Sequence, residues 1–225
     1  MEIFRFVVNR LEENTYVAAG PSDSCVLVDP GFLDKGETDA VLGFIRTRGL
    51  KPEAVLLTHG HMDHMYGAAL VQRLWDVPVY LSDKDKPVIE YFKRVARFGI
   101  PTADTSFTST DIRDGSLISA AGMSFRVIST PGHTPGGVCY LEEGSRTLFT
   151  GDTLFAGTIG RTDLEGGDYD ALISSIMEKL TLLDGDTAIC PGHGGSSTIG
   201  SEMVTNPFLE PFNEREEIPE LNPQT

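Results

Sequence analysis

The chain has 225 residues, enough for one domain with a buried core, and a composition of 40% hydrophobic and 23% charged residues excludes a disordered tail or a membrane bundle. Its 18 basic residues stand against 33 acidic ones, so a formal net charge of −15 disfavours binding to nucleic acid or to anionic membranes. Because no apolar run is long enough to span a bilayer and no signal-peptide pattern opens the chain, we expect a cytoplasmic protein.

The first half of the chain alternates short apolar strands with amphipathic helices. Strands are predicted over residues 3–8, 14–18, 25–28, 54–57 and 77–81. Apolar residues at helical spacing predict helices over residues 38–48 and 65–75. The basic residues between positions 84 and 97 are expected to form the solvated face of a further helix.

The second half repeats this alternation. Strands are predicted over residues 125–128, 137–141, 147–149 and 187–190, and an amphipathic helix over residues 168–183. Strands that alternate with helices long enough to cover a sheet predict an α/β fold. We expect residues 1–205 to form one domain and residues 206–225, rich in proline and glutamate, to form an irregular tail held at its start by residues 207–209.

The three cysteines lie far apart, within or beside apolar runs, at Cys25, Cys139 and Cys190. An odd count without a CxxC pair argues against a disulfide framework, so we expect buried, reduced thiols without a nucleophilic role. The chain also lacks the GxGxxG, GxxxxGK[ST] and GxSxG patterns, which removes the usual signals for nucleotide binding and serine hydrolysis.

The chemistry-bearing signal is the placement of the five histidines: His59, His61, His64, His133 and His193. Three lie within six residues that also contain Asp63, and each of the other two follows Pro-Gly at the end of an apolar run. Loops at strand ends of an α/β fold meet at one edge of a sheet, which clusters these side chains. Imidazole and carboxylate are the preferred ligands of zinc, iron or manganese, so the sequence predicts a metal site.

The spacing also suits two metals. The alternation His59-Gly60-His61 directs two imidazoles to one side of the loop, and Asp63 and His64 then point elsewhere, towards a second metal. Asp152 follows the predicted strand at residues 147–149, where a carboxylate can bridge two cations.

Four ordered motifs carry a family resemblance. They are the stretch Thr58-His59-Gly60-His61-Met62-Asp63-His64, Pro131-Gly132-His133, Gly151-Asp152-Thr153-Leu154-Phe155, and Pro191-Gly192-His193. Together they resemble the metallo-β-lactamase superfamily and, more narrowly, its glyoxalase II-like (hydroxyacylglutathione hydrolase-like) branch, over residues 26–208 or so. The resemblance implies an αβ/βα sandwich with the metal site at one edge of the sheets.

The resemblance also implies roles for individual residues. The first metal would be held by His59, His61 and His133, the second by Asp63, His64 and His193, with Asp152 as the bridge. Asp63 and Asp152 are the carboxylates assigned to catalysis, and Asp29 would support the metal loop without binding metal. Two divalent ions, zinc before iron or manganese, and a hydroxide between them would then cleave an acyl thioester.

The substrate is less closely defined by the resemblance. In this branch a basic residue after the Gly-Asp-Thr-Leu-Phe motif helps to hold the glutathione carboxylate, and Arg161 is the candidate. Arg161 could equally form a structural ion pair with Asp163 or Asp168. The usual Gly-His-Glu-Tyr at the last histidine is replaced here by Gly-His-Gly-Gly, and we expect no helical domain beyond it, as in short bacterial members of the branch.

Other functions remain open at this point. The first alternative is a mono-iron persulfide dioxygenase of the same fold, which uses two histidines and one aspartate; retention of all seven ligand positions favours a dinuclear hydrolase over it. A lactonase or β-lactamase is a further alternative, although lactamases of this fold normally carry a signal peptide. The negative charge disfavours an RNA-processing nuclease, and a purely structural metal would need a closed ligand shell. We expect a small thioester as the binding partner.

Overall fold

The computed structural model describes residues 1–95 and 101–210. The first half of the chain forms a six-stranded mixed sheet. Its strands are β1 (Glu2–Val8), β2 (Glu13–Ala19), β3 (Ser24–Val28), β4 (Lys51–Leu56), β5 (Val79–Tyr80) and β6 (Ser109–Thr110). They lie in chain order across the sheet, antiparallel from β1 to β3 and parallel from β3 to β6.

A second six-stranded sheet packs against the first. Its strands are β7 (Leu117–Ala120), β8 (Met123–Ser129), β9 (Val138–Glu142), β10 (Thr147–Gly151), β13 (Ala188–Pro191) and β14 (Ser197–Thr198). The order across the sheet is β14-β13-β10-β9-β8-β7, with β10 and β13 parallel and the other neighbours antiparallel. Between β10 and β13 the chain forms a small hairpin of β11 (Leu154–Phe155) and β12 (Thr158–Ile159).

Within residues 1–95 and 101–210, five α-helices flank the two sheets: α1 (Lys35–Thr47), α2 (Ala68–Trp75), α3 (Lys86–Val95), α4 (Tyr169–Ser175) and α5 (Ile199–Thr205). Helix α1 begins before the predicted residue 38 because Asp34 and Glu37 form a capping box at its start. Helix α2 begins after the predicted residue 65 because Met62–His64 first form a 3₁₀ turn. The predicted helix over residues 168–183 is α4 followed by a π-helical segment, Ile176–Leu180.

The layers follow from strands that are buried on both faces. In β2, Val17 faces a core shared with α1 and α2, whereas its neighbour Tyr16 faces a core between the two sheets, as the alternation of a pleated strand requires. A third core packs Leu148 of β10 against Leu172 of α4. The order helix, sheet, sheet, helix confirms the predicted α/β class and αβ/βα sandwich.

The strands that precede the predicted site residues all run towards one edge of this sandwich. Strands β3 and β4 are parallel in the first sheet, and β8, β10 and β13 run in one direction in the second. At that edge the sheets are joined by hydrogen bonds: the Tyr140 hydroxyl donates to the Leu57 carbonyl at 2.8 Å, and the Tyr16 hydroxyl to the Pro191 carbonyl at 2.8 Å. The loops after these strands therefore meet in one place.

One buried leucine anchors the C-terminal end of the described chain. Leu209 is 1% exposed, so the predicted anchoring of residues 207–209 rests on this side chain. The rest of the predicted tail, residues 211–225, lies outside the described residues, and so does the basic stretch beyond α3 at residues 96–100. Among the described residues, no helix has the length and apolar character that a bilayer span requires.

Candidate metal centre

Two sets of three side chains converge at the common edge of the sheets. In the first set, His59 Nε2 and His133 Nε2 lie 3.1 and 2.9 Å from His61 Nδ1. In the second set, His64 Nε2 lies 3.3 Å from His193 Nε2, and Asp63 Oδ2 lies 3.4 Å from the same atom of His193. The structure thus brings together all six residues that the sequence assigned to two separate sites, and in the predicted grouping.

Asp152 lies between the two sets. Its Oδ2 is 3.4 Å from His133 Nε2 in the first set, and its Oδ1 is 3.4 Å from His64 Nε2 in the second. This carboxylate follows β10, where Gly151 has a φ of +47° and a Cβ would lie 2.2 Å from the Thr58 hydroxyl oxygen. Only glycine at this position lets the chain turn so close to the metal loop.

Each histidine that directs Nε2 into the site has its other ring nitrogen hydrogen-bonded outside it. His133 Nδ1 donates to the Arg161 carbonyl at 2.7 Å, and His193 Nδ1 to the Leu11 carbonyl at 2.9 Å. These bonds fix the tautomer that leaves the Nε2 lone pair free for a cation.

Asp29 serves the other two histidines in the same way. It accepts the Thr58 backbone N–H and hydroxyl at 2.7 and 2.6 Å, and it lies 3.0 Å from His64 Nδ1. The Thr58 hydroxyl in turn lies 3.0 Å from His59 Nδ1. Asp29 therefore supports the histidine loop through hydrogen bonds, as the resemblance predicted. Its carboxylate also lies within 4.8 Å of ring nitrogens of His59 and His64, close enough for these three residues to share a metal ion.

Asp85, which the sequence did not single out, joins the two metal-bearing loops. Its side chain is fully buried and accepts hydrogen bonds from Gly60 N at 2.7 Å, Gly136 N at 2.6 Å and the Thr134 hydroxyl at 2.8 Å. Gly60 lies between two ligands, and Thr134 follows His133 directly. Burial raises the pKa of Asp85, although these three hydrogen bonds oppose the shift.

Glu13 is a second residue that sequence reasoning missed. It is wholly buried, with one carboxylate oxygen accepting the Thr15 hydroxyl at 2.9 Å and the other 3.9 Å from His64 Nδ1. Both Asp85 and Glu13 occur among charged neighbours that are typical of a protein surface. No local signal distinguishes them, because their burial arises only from contacts between distant segments.

The pKa values of His61 and His64 shift in opposite directions, because carboxylates surround only the second of these imidazoles. Loss of water, together with neighbouring imidazoles, lowers the pKa of His61 to about 3 and holds that of His59 well below its ordinary value. Burial alone would also lower the pKa of His64, but the carboxylates of Asp152 and Asp63 raise it well above the ordinary value. His59 and His61 therefore offer neutral lone pairs, and a cation bound beside His64 would displace a proton.

These donors fit divalent metal ions. Three imidazole nitrogens cannot all hydrogen-bond to one another across the spacing of the first set, whereas one cation would satisfy all three lone pairs. Asp152 Oδ1 is buried and has no hydrogen-bond partner among the described residues. A bound cation would pair this oxygen, since an unpartnered buried carboxylate oxygen is costly.

Arg161 lies at the mouth of the site, where it has a partner. Its guanidinium forms a bidentate ion pair with Asp163, with Nε 2.7 Å from Oδ1 and Nη2 2.8 Å from Oδ2. Both side chains are more than half exposed. Asp168, the other partner considered, instead caps α4 by accepting the Ala171 N–H at 3.0 Å. Arg161 is nevertheless among the residues that line the same cavity as the candidate metal ligands.

A cavity of about 570 Å³ opens above the two sets. Its wall is largely apolar. No sequence pattern predicts this composition, because the lining residues come from segments far apart in the chain. Besides the ligands and Arg161, the lining side chains are Leu11, Met62, Tyr66, Phe92, Phe155, Ile159 and Leu164. A pocket of this size and polarity suits a small organic substrate.

The sequence has clear relatives. A profile of the metallo-beta-lactamase superfamily matches residues 8–193. Hydroxyacylglutathione hydrolase GloC of Haemophilus influenzae is 37% identical over 212 residues, covering 93% of this chain and 98% of that protein. The probable metallo-hydrolase YqgX of Bacillus subtilis is 34% identical over 211 residues, with 93% and 98% coverage.

Solved structures give the same picture. BLEG-1, described as a B3 metallo-beta-lactamase, superimposes with a TM-score of 0.85 at 33% identity, covering 92% of this chain and 99% of its own. TTHA1623 in a di-iron-bound form gives 0.80 at 37%, with 92% and 100% coverage. ETHE1 from Myxococcus xanthus gives 0.76 at 23%, with 98% and 93% coverage, which is a likeness of fold alone.

Proposed function

The chain belongs to the metallo-beta-lactamase superfamily, as a metallo-hydrolase, and we propose that it is a dinuclear thioesterase of the glyoxalase II-like type. The observation that carries the proposal is the pair of three-residue ligand sets joined by Asp152 beneath a largely apolar cavity. GloC, the relative described above, supports the choice of a thioester over other hydrolysable acyl groups.

Two metal ions per chain are part of the proposal. His59, His61 and His133 would hold one ion, Asp63, His64 and His193 the other, and Asp152 would contact both. Zinc is the first candidate and iron or manganese the alternatives, since imidazole and carboxylate suit all three. The di-iron form of TTHA1623 supports a paired site.

When bound, the ions supply Lewis acidity and a nucleophilic water at neutral pH. The protein holds the imidazoles in place through Asp29 and the backbone carbonyls of Arg161 and Leu11, so the ligand geometry is set before substrate arrives. In the overall reaction water adds to the acyl carbon, the carbon–sulfur bond breaks, and a carboxylate and a thiol leave. A thiolate is a good leaving group, so the chain needs no strong general acid beside the sulfur.

Arg161 is proposed to bind a carboxylate on the thiol part of the substrate. Arg161 lines the cavity, and its side chain and that of its present partner Asp163 are both more than half exposed. Exposed ion pairs contribute little to stability because water screens them, so a substrate carboxylate could replace Asp163 at small cost. The bidentate geometry seen with Asp163 is the geometry a substrate carboxylate would use.

Steady-state kinetics on protein of known metal content test the proposal. S-acylglutathiones, other acyl thiols, a lactone, a β-lactam and glutathione persulfide form the panel, with oxygen uptake recorded for the persulfide. We expect the thioesters to give the highest kcat/KM. Oxygen consumption with persulfide, and no thioester hydrolysis, would identify the persulfide dioxygenase alternative instead.

Metal content provides a separate check. Fully loaded protein should contain two equivalents by elemental analysis, and saturation at one equivalent under zinc, iron and manganese would contradict the dinuclear site. Hydrolysis of the lactone or the β-lactam above all thioesters would retain the metal chemistry and reject the substrate class.

A further inference from the structure

Two apolar side chains stand beside the second ligand set, where no catalytic role requires them. Leu11 lies at the tip of the turn between β1 and β2 and is 63% exposed, yet it lines the cavity. Its backbone carbonyl accepts the hydrogen bond from His193 Nδ1. Phe155 lies at the end of β11, with its ring centroid 6.3 Å from that of His193.

The side of the cavity next to the first ligand set has a different character. The Arg161 backbone holds His133 there, and the ring of Phe92 lies 5.1 Å from that of His61. Apart from the ligand carboxylates, Arg161 is the only charged side chain among the described residues that line the cavity. A substrate whose charged end reaches Arg161 therefore has its opposite end beside His193.

We propose that Leu11 and Phe155 form an acyl-binding wall, which selects thioesters with apolar acyl chains over those with small or hydroxylated acyl groups. The inference rests on the thioesterase function and deepens it. When the thioester carbonyl of the substrate lies above the two ligand sets and its thiol part points towards Arg161, the acyl chain lies against Leu11 and Phe155. An acyl hydroxyl would lose water there without gaining a partner from either side chain, whereas each added methylene would cover apolar surface.

The expected effect follows from methylene burial. Each methylene removed from water is worth about a threefold change in kcat/KM. From acetyl to hexanoyl, we expect an increase of at least about tenfold, after allowing for a chain end that reaches solvent. The exposed position of Leu11 means that truncating it should not disturb folding.

The test compares S-acetyl-, S-lactoyl-, S-butanoyl- and S-hexanoylglutathione on metal-loaded enzyme, so that only the acyl group varies. Leu11→Ala and Phe155→Ala should each lower kcat/KM for hexanoyl at least five times more than for acetyl. Phe92→Ala, on the other side of the cavity, should lower all four by one factor. Leu74→Ala, a 45% exposed leucine that does not line the cavity, is the matched control for Leu11→Ala and should change none.

A binding measurement gives a readout independent of turnover. S-hexylglutathione, a thioether that cannot be hydrolysed, should bind at least about tenfold more tightly than S-methylglutathione by calorimetry, and the two wall variants should remove the difference. A flat acyl-length profile on thioesters that are hydrolysed would overturn the acyl wall and leave the thioesterase function intact. Absence of hydrolysis with every thioester would reject both.

Discussion

Asp85 is not a candidate metal ligand, but its hydrogen bonds join the two loops that carry candidate ligands, and this supporting role can be tested by mutation. Replacing it with alanine removes the acceptor of three buried donors: Gly60 N–H, Gly136 N–H and the Thr134 hydroxyl. A buried donor left without a partner costs about 1–3 kcal/mol, so Asp85→Ala should lose about 3–5 kcal/mol once some water enters. That is a large share of the roughly 5–15 kcal/mol that stabilises an ordinary domain.

Asp85→Asn separates shape from hydrogen bonding. With its carbonyl oxygen at the position of Oδ2, the amide keeps the bonds to Gly60 and Thr134 and faces the Gly136 N–H with a second donor. The expected loss is about 1–3 kcal/mol in urea unfolding of metal-free protein. Because Gly60 lies between two ligands, metal affinity measured by competition with a chelator should also fall about 10- to 100-fold.

Asp83→Asn is the matched control for these measurements. Asp83 lies two residues away, is 48% exposed, and pairs with Lys86 on the surface. Its substitution should change the unfolding free energy by no more than about 0.5 kcal/mol. Equal losses in Asp83→Asn and Asp85→Asn, with unchanged metal affinity in both, would refute the view that Asp85 holds the loops together.

Four further expectations concern the site and the thiols. Asp152→Ala should bind at most one equivalent of metal and lose nearly all hydrolysis, and two equivalents in elemental analysis would show that the bridge is misassigned. Arg161→Ala should raise KM about tenfold for a thioester that bears a carboxylate and leave one without it unaffected, whereas an equal loss for both would assign Arg161 a structural role with Asp163. Asp163→Asn should lower KM for the carboxylate-bearing thioester only, and an increase would show that Asp163 positions Arg161. Burial raises the pKa of the cysteine thiols, to about 12 at Cys25, so iodoacetamide at pH 8 should modify them after unfolding and not before, as mass spectrometry would report.

The candidate ligand residues and the class of fold could both be predicted from local sequence. His59, His61, Asp63 and His64 form a motif within six residues, and apolar runs before His133, Asp152 and His193 place each at a strand end. Both signals are local: side-chain chemistry and hydrophobic periodicity survive in any short window of the chain. They sufficed to predict an α/β fold with a metal site at one edge of a sheet, whereas the αβ/βα sandwich was predicted from the family resemblance.

The first residues of α1 and α2 differ from the predicted ones because local hydrogen bonding sets where each helix begins. The capping box of Asp34 starts α1 before the apolar pattern does, and the 3₁₀ turn that carries Asp63 and His64 delays α2. Hydrophobic spacing reports which face is buried, and it is insensitive to where the first turn closes.

The support of the site and the composition of its cavity depend on contacts between distant segments of the chain. The burial of Asp85 and the approach of Leu11 to His193 join segments 25 to 182 residues apart, and nothing near either residue in sequence marks them. Such contacts depend on how two sheets from different halves of the chain pack together, and packing between distant segments leaves no periodic signal along the sequence.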